Sequence, residues 1–304
     1  MDIIAKKYFY FAISLIIIIP GIVSLILFGL NLSIDFTGGS RITLSFPIKV
    51  SNQIAKGVQE TLTSEKIKTS TVETSNKLVI IRTTPLSQKQ HGQLVSGFNK
   101  RFKDVKWEQF ETIGPTIGRE TTENAIKAVV LASILIVLYI AWSFRKVPKP
   151  ASSFRFGVCA IIALIHDILV VVGVFSILGH FFGVEVDSLF VTGILTVIGF
   201  SVHDTIVVFD RIRENLRKLN GISFDKIVNE SILQTLARSL NTSLTVVLVL
   251  IALLLFGGES IRWFVVVLLI GIISGTYSSI FNASPLLVVW HYSGLLTKRV
   301  KYVY

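Results

Sequence analysis

Six long runs of apolar residues divide the chain, and a long polar segment separates the first run from the second. A run of about 20 apolar residues can cross the hydrocarbon core of a bilayer as a helix. No Lys or Arg interrupts any of the six runs. The pattern therefore predicts a polytopic α-helical membrane protein with six transmembrane helices. The predicted spans are 8–30, 128–144, 156–178, 189–208, 239–256 and 263–290.

The composition agrees with this prediction. Of the 304 residues, 51% are hydrophobic and 16% are charged, whereas soluble domains carry about 25% charged residues. This excludes a soluble enzyme, a secreted disulfide scaffold and a disordered chain. The single cysteine, Cys159, lies inside the third run, so it can form no internal disulfide.

The distribution of basic residues predicts the orientation in the membrane. Fifteen Lys and Arg residues lie on one predicted side, whereas the short loops 179–187 and 257–262 on the other side contain only Arg262. The positive-inside rule therefore predicts a protein of the cell membrane with both termini in the cytoplasm. The segment 31–123 is then extracytoplasmic. The first run is too long for a typical signal peptide and lacks a cleavage site, so we expect a retained anchor. The net charge of +11 follows this membrane pattern and indicates contact with membrane lipids rather than nucleic acid.

The polar segment 31–123 has an alternating strand and helix pattern. Strands are predicted at 41–48, 69–73, 78–83 and 105–113, and helices at 52–67 and 87–102. The order βαββαβ is that of a ferredoxin-like α+β fold. We therefore divide the chain into an N-terminal tip with the first helix (1–30), the extracytoplasmic domain (31–123), helices two to six (124–290) and a cytoplasmic tail (291–304). The domain has no recognisable nucleophile and base set, so a binding or gating module is favoured over a hidden hydrolase.

Two acidic residues occur where a bilayer penalises charge. Asp167 lies near the middle of the third run and Asp204 lies in the fourth. Acids within spanning helices commonly mark proton or ion pathways. His166 is expected to point about 100° away from Asp167 on a helix and to orient or pack rather than share its site. The fifth and sixth runs offer the polar partners Asn241, Thr242, Ser243, Thr245, Ser274, Ser278 and Asn282.

Other features of the spanning helices have simpler explanations. Gly271 and Gly275 form a GxxxG pattern that is expected to serve helix packing. Asp210, Arg211, Arg213 and Glu214 follow the fourth run and fit a salt-bridge cluster at its cytoplasmic end.

Rival functions remain open at this point. The pairs His166-Asp167 and His203-Asp204 do not favour a metal site, because adjacent residues face different directions on a helix. No HExxH, CxxC or nucleotide-binding GxxxxGK[ST] motif is present. An intramembrane aspartyl protease with Asp167 and Asp204 as a dyad is a stronger alternative, although the usual protease motifs are absent. A purely structural membrane scaffold is the third possibility.

Several short motifs stand out along the chain. SIDFTGG contains Asp35, Gly38 and Gly39, GPTIGRE contains Gly114 and Gly118, and HD lies in the third run. The most specific motif starts at Gly199 and contains Asp210, Arg211 and Arg213. The remaining motifs are QTLARSLNTS, FGG and GTYSSIFNAS. Together these motifs resemble the SecF family of the bacterial protein-export machinery, and the chain departs from the usual family pattern at Phe200 and His203.

The resemblance implies a protein that is not an enzyme and needs no cofactor. It implies a SecD partner with a similar six-span core, cooperation with the SecYEG channel and SecA, and movement of an exported preprotein driven by protons. Asp167 matches the family's proton-carrying acid, Asp204 is a second candidate, and Arg211 is the nearest candidate for a basic partner.

A proton that crosses about 100 mV carries about 2.3 kcal/mol. Burial favours the neutral form of a carboxyl, so Asp167 can take up a proton on one side and release it on the other. Gly38, Gly39, Gly114 and Gly118 flank the external domain and are predicted hinges, because glycine reaches positive φ without steric cost. The alternative for these glycines is a tight turn or close packing.

Overall fold

The structure, a computed structural model, describes residues 2–102, 104–148, 151–219 and 221–300. The chain forms two compact units. One comprises the chain up to Asn31 and from Lys127 onward, and the other comprises Leu32–Ile126. The elements are α1 (Lys7–Phe28), α2 (Ile34–Thr37), β1 (Gly39–Ser45), α3 (Asn52–Ser64), β2 (Thr69–Ser75), β3 (Leu78–Thr83), α4 (Gln88–Arg101), β4 (Lys106–Ile113), α5 (Pro115–Ser143), α6 (Ser153–Phe182), α7 (Ser188–Lys218), α8 (Phe224–Phe256), α9 (Arg262–Ser278) and α10 (Ser284–Val300).

Six helical segments of the described chain are long and apolar enough to cross a membrane. They are α1, α5, α6, α7, α8 and the continuous segment Arg262–Ser293. In that last segment a π-helical turn, Ser279–Ala283, joins α9 to α10. The predicted fold class, six spanning helices with a small α+β domain between the first and second, is confirmed.

Several helices start well before the predicted spans. α5 begins at Pro115 rather than at residue 128, because proline suits the first helical position and the polar residues after it are compatible with a helix. α8 begins at Phe224 rather than at residue 239. Its first turns bury Phe224, Ile227, Val228 and Ile232 at helical spacing, so the segment before the predicted span is an amphipathic helix.

The helical unit has three central helices and three peripheral ones. Within the 18 most apolar consecutive residues of each span, the buried share is 56% in α6, 50% in α7 and 56% in Arg262–Ser293. The corresponding share is only 6% in α5 and 11% in α8. Glycines permit the close crossings. A Cβ built on Gly21 of α1 would lie 2.9 Å from the Cα of Gly173 in α6, and one on Gly271 of α9 would lie 2.1 Å from a methyl of Val197 in α7. Close approach of backbones is the usual way that helices associate in lipid.

The unit Leu32–Ile126 contains a four-stranded antiparallel sheet in the order β2-β3-β1-β4. Alternate residues of the strands, such as Ile42 and Leu44 of β1, face α3 and α4 and form one apolar core. The core also includes Val58 and Leu62 of α3 and Phe98 of α4. Ser87 and Gln90 form a reciprocal capping box that fixes the start of α4.

Candidate functional site

Asp167 of α6 is completely buried, at 0% exposure. Its Oδ2 accepts hydrogen bonds from the hydroxyls of Ser201 at 2.6 Å and Ser278 at 2.7 Å. Its Oδ1 accepts one from the hydroxyl of Ser274 at 2.7 Å and lies 2.9 Å from Nδ1 of His166. The contacts come from α6, α7 and α9, so one carboxyl group joins the three central helices.

This arrangement can hold either protonation state of Asp167. An ionised carboxylate only accepts hydrogen bonds and has about four acceptor sites, and the four contacts occupy both oxygens. A neutral carboxyl carries one O–H donor, so one contacting group must then accept instead. Serine hydroxyls can do either. Binding of a proton therefore changes at least one of the four hydrogen bonds, three of which lie between helices.

The expectation that His166 faces away from Asp167 is wrong. Both side chains are buried, and they form the 2.9 Å contact. Although adjacent residues leave a helix in different directions, the imidazole is long enough to reach the neighbouring carboxyl group. The other ring nitrogen, Nε2, is buried and has no hydrogen-bond partner in the described part of the chain. His166 is thus part of the Asp167 site and retains one unused polar atom.

Asp204 of α7 occupies a separate polar environment. It is 8% exposed, and its Oδ2 finds no hydrogen-bond partner among the described residues. It borders a small cavity of about 10 Å³ between α7, α8 and α9. The cavity is lined by Phe200, Ser201, His203, Asp204, Thr242, Ser243, Ile272, Gly275 and Thr276.

The two acids do not form a protease-like dyad. No hydrogen bond between the described residues joins Asp167 to Asp204, and the first carboxyl group is enclosed by its own four partners. Ser201 lies between the two environments, because it donates to Asp167 and also lines the cavity at Asp204. The arrangement suits two communicating acids rather than two acids that share one proton.

Arg211 is engaged at the C-terminal end of α7 and not at Asp167. Its Nε donates to Gln234 of α8 at 2.6 Å, and its guanidinium pairs with Glu214 at 2.6 Å. Arg213 pairs with Asp210 and donates to the carbonyl of Ser143 at 3.2 Å. Within the described chain no ion pair connects Arg211 with Asp167. The geometry is that of a salt-bridge cluster that ties α7 to α5 and α8.

The glycines near the two ends of the unit Leu32–Ile126 are, with one exception, closely packed. Gly38 and Gly39 have φ values of +70° and +135°, which favour glycine. A Cβ on Gly39 would lie 2.8 Å from the carbonyl oxygen of Thr83, and one on Gly118 would lie 2.8 Å from the nitrogen of Gly38. Gly114, in contrast, has no atom within 4 Å of its Cβ position. A tight turn and close packing therefore account for three of the four glycines.

Two other residues that the motifs single out lie near these features. Asp35 is in the first turn of α2, where its backbone nitrogen donates to the hydroxyl of Ser33 at 3.2 Å. Gly199 lies in α7 with open space around its Cβ position. No group of three or more His, Cys, Asp or Glu residues in the described chain is arranged to hold a metal ion.

Sequence reasoning identified most of the polar partners but not their assignments. Ser274 and Ser278 contact Asp167, and Thr242 and Ser243 line the cavity. Asn282 instead exchanges hydrogen bonds with Ser14 of α1. Ser239 of α8 was missed. It is 1% exposed, and its hydroxyl lies near the carboxyl group of Asp204 without a hydrogen bond of regular geometry among the described residues. Its only signal in the sequence is a hydroxyl that precedes Thr242 and Ser243 by one helical turn.

Comparison with known proteins identifies the family. Residues 94–293 match the family described as protein export membrane protein SecD/SecF, C-terminal, and residues 23–46 match the SecD/SecF GG motif. The chain is 49% identical to protein translocase subunit SecF of Thermobaculum terrenum and 46% identical to that of Anaerolinea thermophila. Each alignment covers 95% of this chain and 94% of the relative.

Longer relatives contain the same fold. Protein translocase subunit SecDF of Bacillus subtilis is 35% identical over 95% of this chain, which spans 38% of that relative. The crystal structure of SecDF, a translocon-associated membrane protein from Thermus thermophilus, superimposes with a TM-score of 0.83 at 33% identity. That alignment covers 95% of this chain and 38% of the SecDF chain. By sequence and by fold, the chain belongs to the SecD/SecF family and is a SecF-type subunit of the protein translocase.

Proposed function

We propose that this translocase subunit couples proton movement through its helical unit to protein export, with Asp167 as the group that binds and releases the proton. The observation that carries the proposal is a fully buried carboxyl group whose four contacts come from three apolar helices. Charged groups at membrane depth are expensive, and those that persist usually serve ion or proton transport.

Protonation gives the site a mechanical consequence. The ionised carboxylate accepts from Ser201 of α7 and from Ser274 and Ser278 of α9. After protonation, one of the four contacts at Asp167, including that with His166, must reverse or break, because the neutral group needs an acceptor. Three of the four contacts lie between helices. The relative stability of two helix arrangements then depends on the proton. A potential of about 100 mV supplies about 2.3 kcal/mol per charge, enough to shift a two-state equilibrium about fifty-fold.

The partners in this proposal are a SecD subunit, the SecYEG channel, SecA and an exported preprotein. The SecDF relatives contain a SecF-like portion within a longer chain, which supports a SecD-like partner for this one. We further propose that the protein lies in the cytoplasmic membrane with both termini in the cytoplasm. The segment 31–123 would then be extracytoplasmic and act on the emerging preprotein, and Asp204 would be a second proton-coupling acid. Neither an enzymatic activity nor a cofactor is part of the proposal.

The test is Asp167→Asn, which keeps the shape of the side chain and removes its titration. The variant is assembled with its SecD partner, and export into membrane vesicles is measured with and without an imposed proton gradient. We expect the complex to form and stimulation by the gradient to be lost. Asp210→Asn is the matched control, because Asp210 is an exposed acid at the C-terminal end of α7. Undiminished stimulation in Asp167→Asn would favour the scaffold alternative.

A further inference from the structure

The cavity beside Asp204 has the size and lining of a site for one water molecule. A cavity needs about 10 to 15 Å³ to hold one water, and this one measures about 10 Å³. Its lining residues include Asp204 and four residues with hydroxyl groups, Ser201, Thr242, Ser243 and Thr276. The hydroxyls of Ser243 and Thr276 are hydrogen-bonded to each other. A buried water typically makes about three hydrogen bonds, and this lining offers that many.

Asp204 itself requires a partner. Its Oδ2 is buried without a hydrogen bond of regular geometry in the described part of the chain, although the hydroxyls of Ser239 and Thr276 lie near the carboxyl group. The residue is 8% exposed and borders the cavity. A buried polar atom that lacks a partner costs about 1 to 3 kcal/mol. A water in the cavity removes that penalty by donating to Oδ2.

The cavity is connected to the proton site already described. Ser201 lines the cavity and donates to Oδ2 of Asp167 at 2.6 Å. Gly275 lines the same cavity, and a Cβ at this position would lie 3.6 Å from that Asp167 oxygen. Ser201 therefore stands between the cavity and the carboxyl group of Asp167.

The other side of the cavity leads to His203. This residue lines the cavity and is exposed at the surface of the helical unit. Asp204 and His203 are the titratable residues of the lining. The lining residues from α8 and α9 are uncharged, and the nearest titratable groups of α6, Asp167 and His166, lie beyond Ser201.

We propose that His203, a water in this cavity, Asp204 and the Ser201 hydroxyl form a relay that delivers protons to Asp167. The inference rests on the proposed function of Asp167. A proton leaves the imidazolium of His203 and passes through the water to the Asp204 carboxylate, which leaves a neutral imidazole. Asp204 then returns the proton to the water. The water passes a proton to the Ser201 oxygen as Ser201 gives its own to Asp167. Both the water and the serine are restored, and Asp167 becomes neutral.

The test follows the arrival of the proton at Asp167 in the full chain, reconstituted with its SecD partner in vesicles. After a downward pH jump, time-resolved infrared spectroscopy records the carbonyl band of the protonated carboxyl group, which Asp167→Asn assigns by its loss. We expect Asp204→Asn to slow the rise of this band at least tenfold with an unchanged final amplitude. Thr242→Val, which removes a hydroxyl from the lining at nearly constant volume, and His203→Gln are expected to slow it as well.

Thr192→Val is the matched control. It removes a hydroxyl that is exposed on α7 and bonds only within its own helix, to Ser188 at 3.1 Å. A full final amplitude of the band shows that a variant is folded. If Asp204→Asn does not fold, Thr242→Val takes its place in the test. Rates in Asp204→Asn and Thr242→Val equal to that of Thr192→Val would overturn the relay. So would a rate that increases when Na⁺ replaces K⁺, because the site would then hold a cation. If no band depends on Asp167, the proposed function itself fails.

Discussion

At the residue scale, the carboxyl group of Asp167 joins α6 to α7 and α9 through hydrogen bonds from Ser201, Ser274 and Ser278. An acid in an apolar run must be buried or paired, so its burial was predictable. The identity of its partners was not, because that depends on how α6, α7 and α9 are rotated relative to one another. The contact with His166 was missed for a related reason, since the ideal angle between adjacent residues ignores the reach of the side chains.

The hydrogen bond from Ser278 to Asp167 can be tested by a double-mutant cycle. Ser278→Ala removes a 2.7 Å hydrogen bond to the carboxyl group, and hydrogen bonds to charged groups contribute about 1.5 to 3 kcal/mol. We expect a loss of that size in the free energy of unfolding of the wild-type chain, and a clearly smaller loss in Asp167→Asn. Ser279→Ala is the control, because Ser279 is equally buried but bonds to the carbonyl of Thr276. Equal losses in both backgrounds would disprove the coupling.

At the scale of the elements, the spans were predictable and their ends were not. Hydropathy detects the apolar stretch of a helix but not its polar extensions, so the early starts of α5 at Pro115 and α8 at Phe224 were missed. The strands and helices of the unit Leu32–Ile126 were predicted well. In a short polar segment, the alternation of apolar residues in a strand differs clearly from their spacing in a helix. The GxxxG pattern of α9 was expected to serve packing, and Gly271 does pack directly against Val197.

Close packing between α7 and α9 should be necessary for the Asp167 site. Gly271→Ala places a Cβ 2.1 Å from a methyl of Val197, which forces the helices apart. Overpacking of this kind costs about 1 to 3 kcal/mol, and we expect a lower unfolding temperature in detergent. Gly157→Ala is the control, since its nearest neighbour would be a methyl of Ile140 at 3.9 Å. If both variants unfold at the same temperature, the contact is not tight.

Close packing can also be tested at the glycines near the ends of the unit Leu32–Ile126. Gly39→Ala combines a φ of +135° with a Cβ 2.8 Å from the Thr83 carbonyl, and such strain costs about 1 to 3 kcal/mol. Gly114→Ala meets no atom within 4 Å and is expected to be neutral. Trp107 is the single tryptophan of this unit. Its fluorescence during unfolding, with the other three replaced by Phe, measures the difference. Equal stability of the two variants would contradict the packing role of Gly39.

At the scale of the whole molecule, we propose that the helical unit binds the proton and that the unit Leu32–Ile126 acts on the preprotein. The four flanking glycines were predicted as hinges, and that role stays a prediction. Gly38 lies just before β1, and Gly118 lies near the start of α5. The two glycines are in contact. Any hinge motion therefore has to involve both segments together rather than one glycine alone.

The coupling between the two units can be tested by asking whether the protonation state of Asp167 controls the position of the unit Leu32–Ile126. One spin label is attached at Gln59 and one at Phe182, both exposed, in a chain whose single cysteine, Cys159, is replaced by Ala. Distances are measured by pulsed electron paramagnetic resonance at acidic and alkaline pH, in complex with the SecD partner. We expect the wild-type distance distribution to change with pH and Asp167→Asn to show a single distribution at both pH values. A distribution in Asp167→Asn that changes with pH as the wild type does would contradict this expectation.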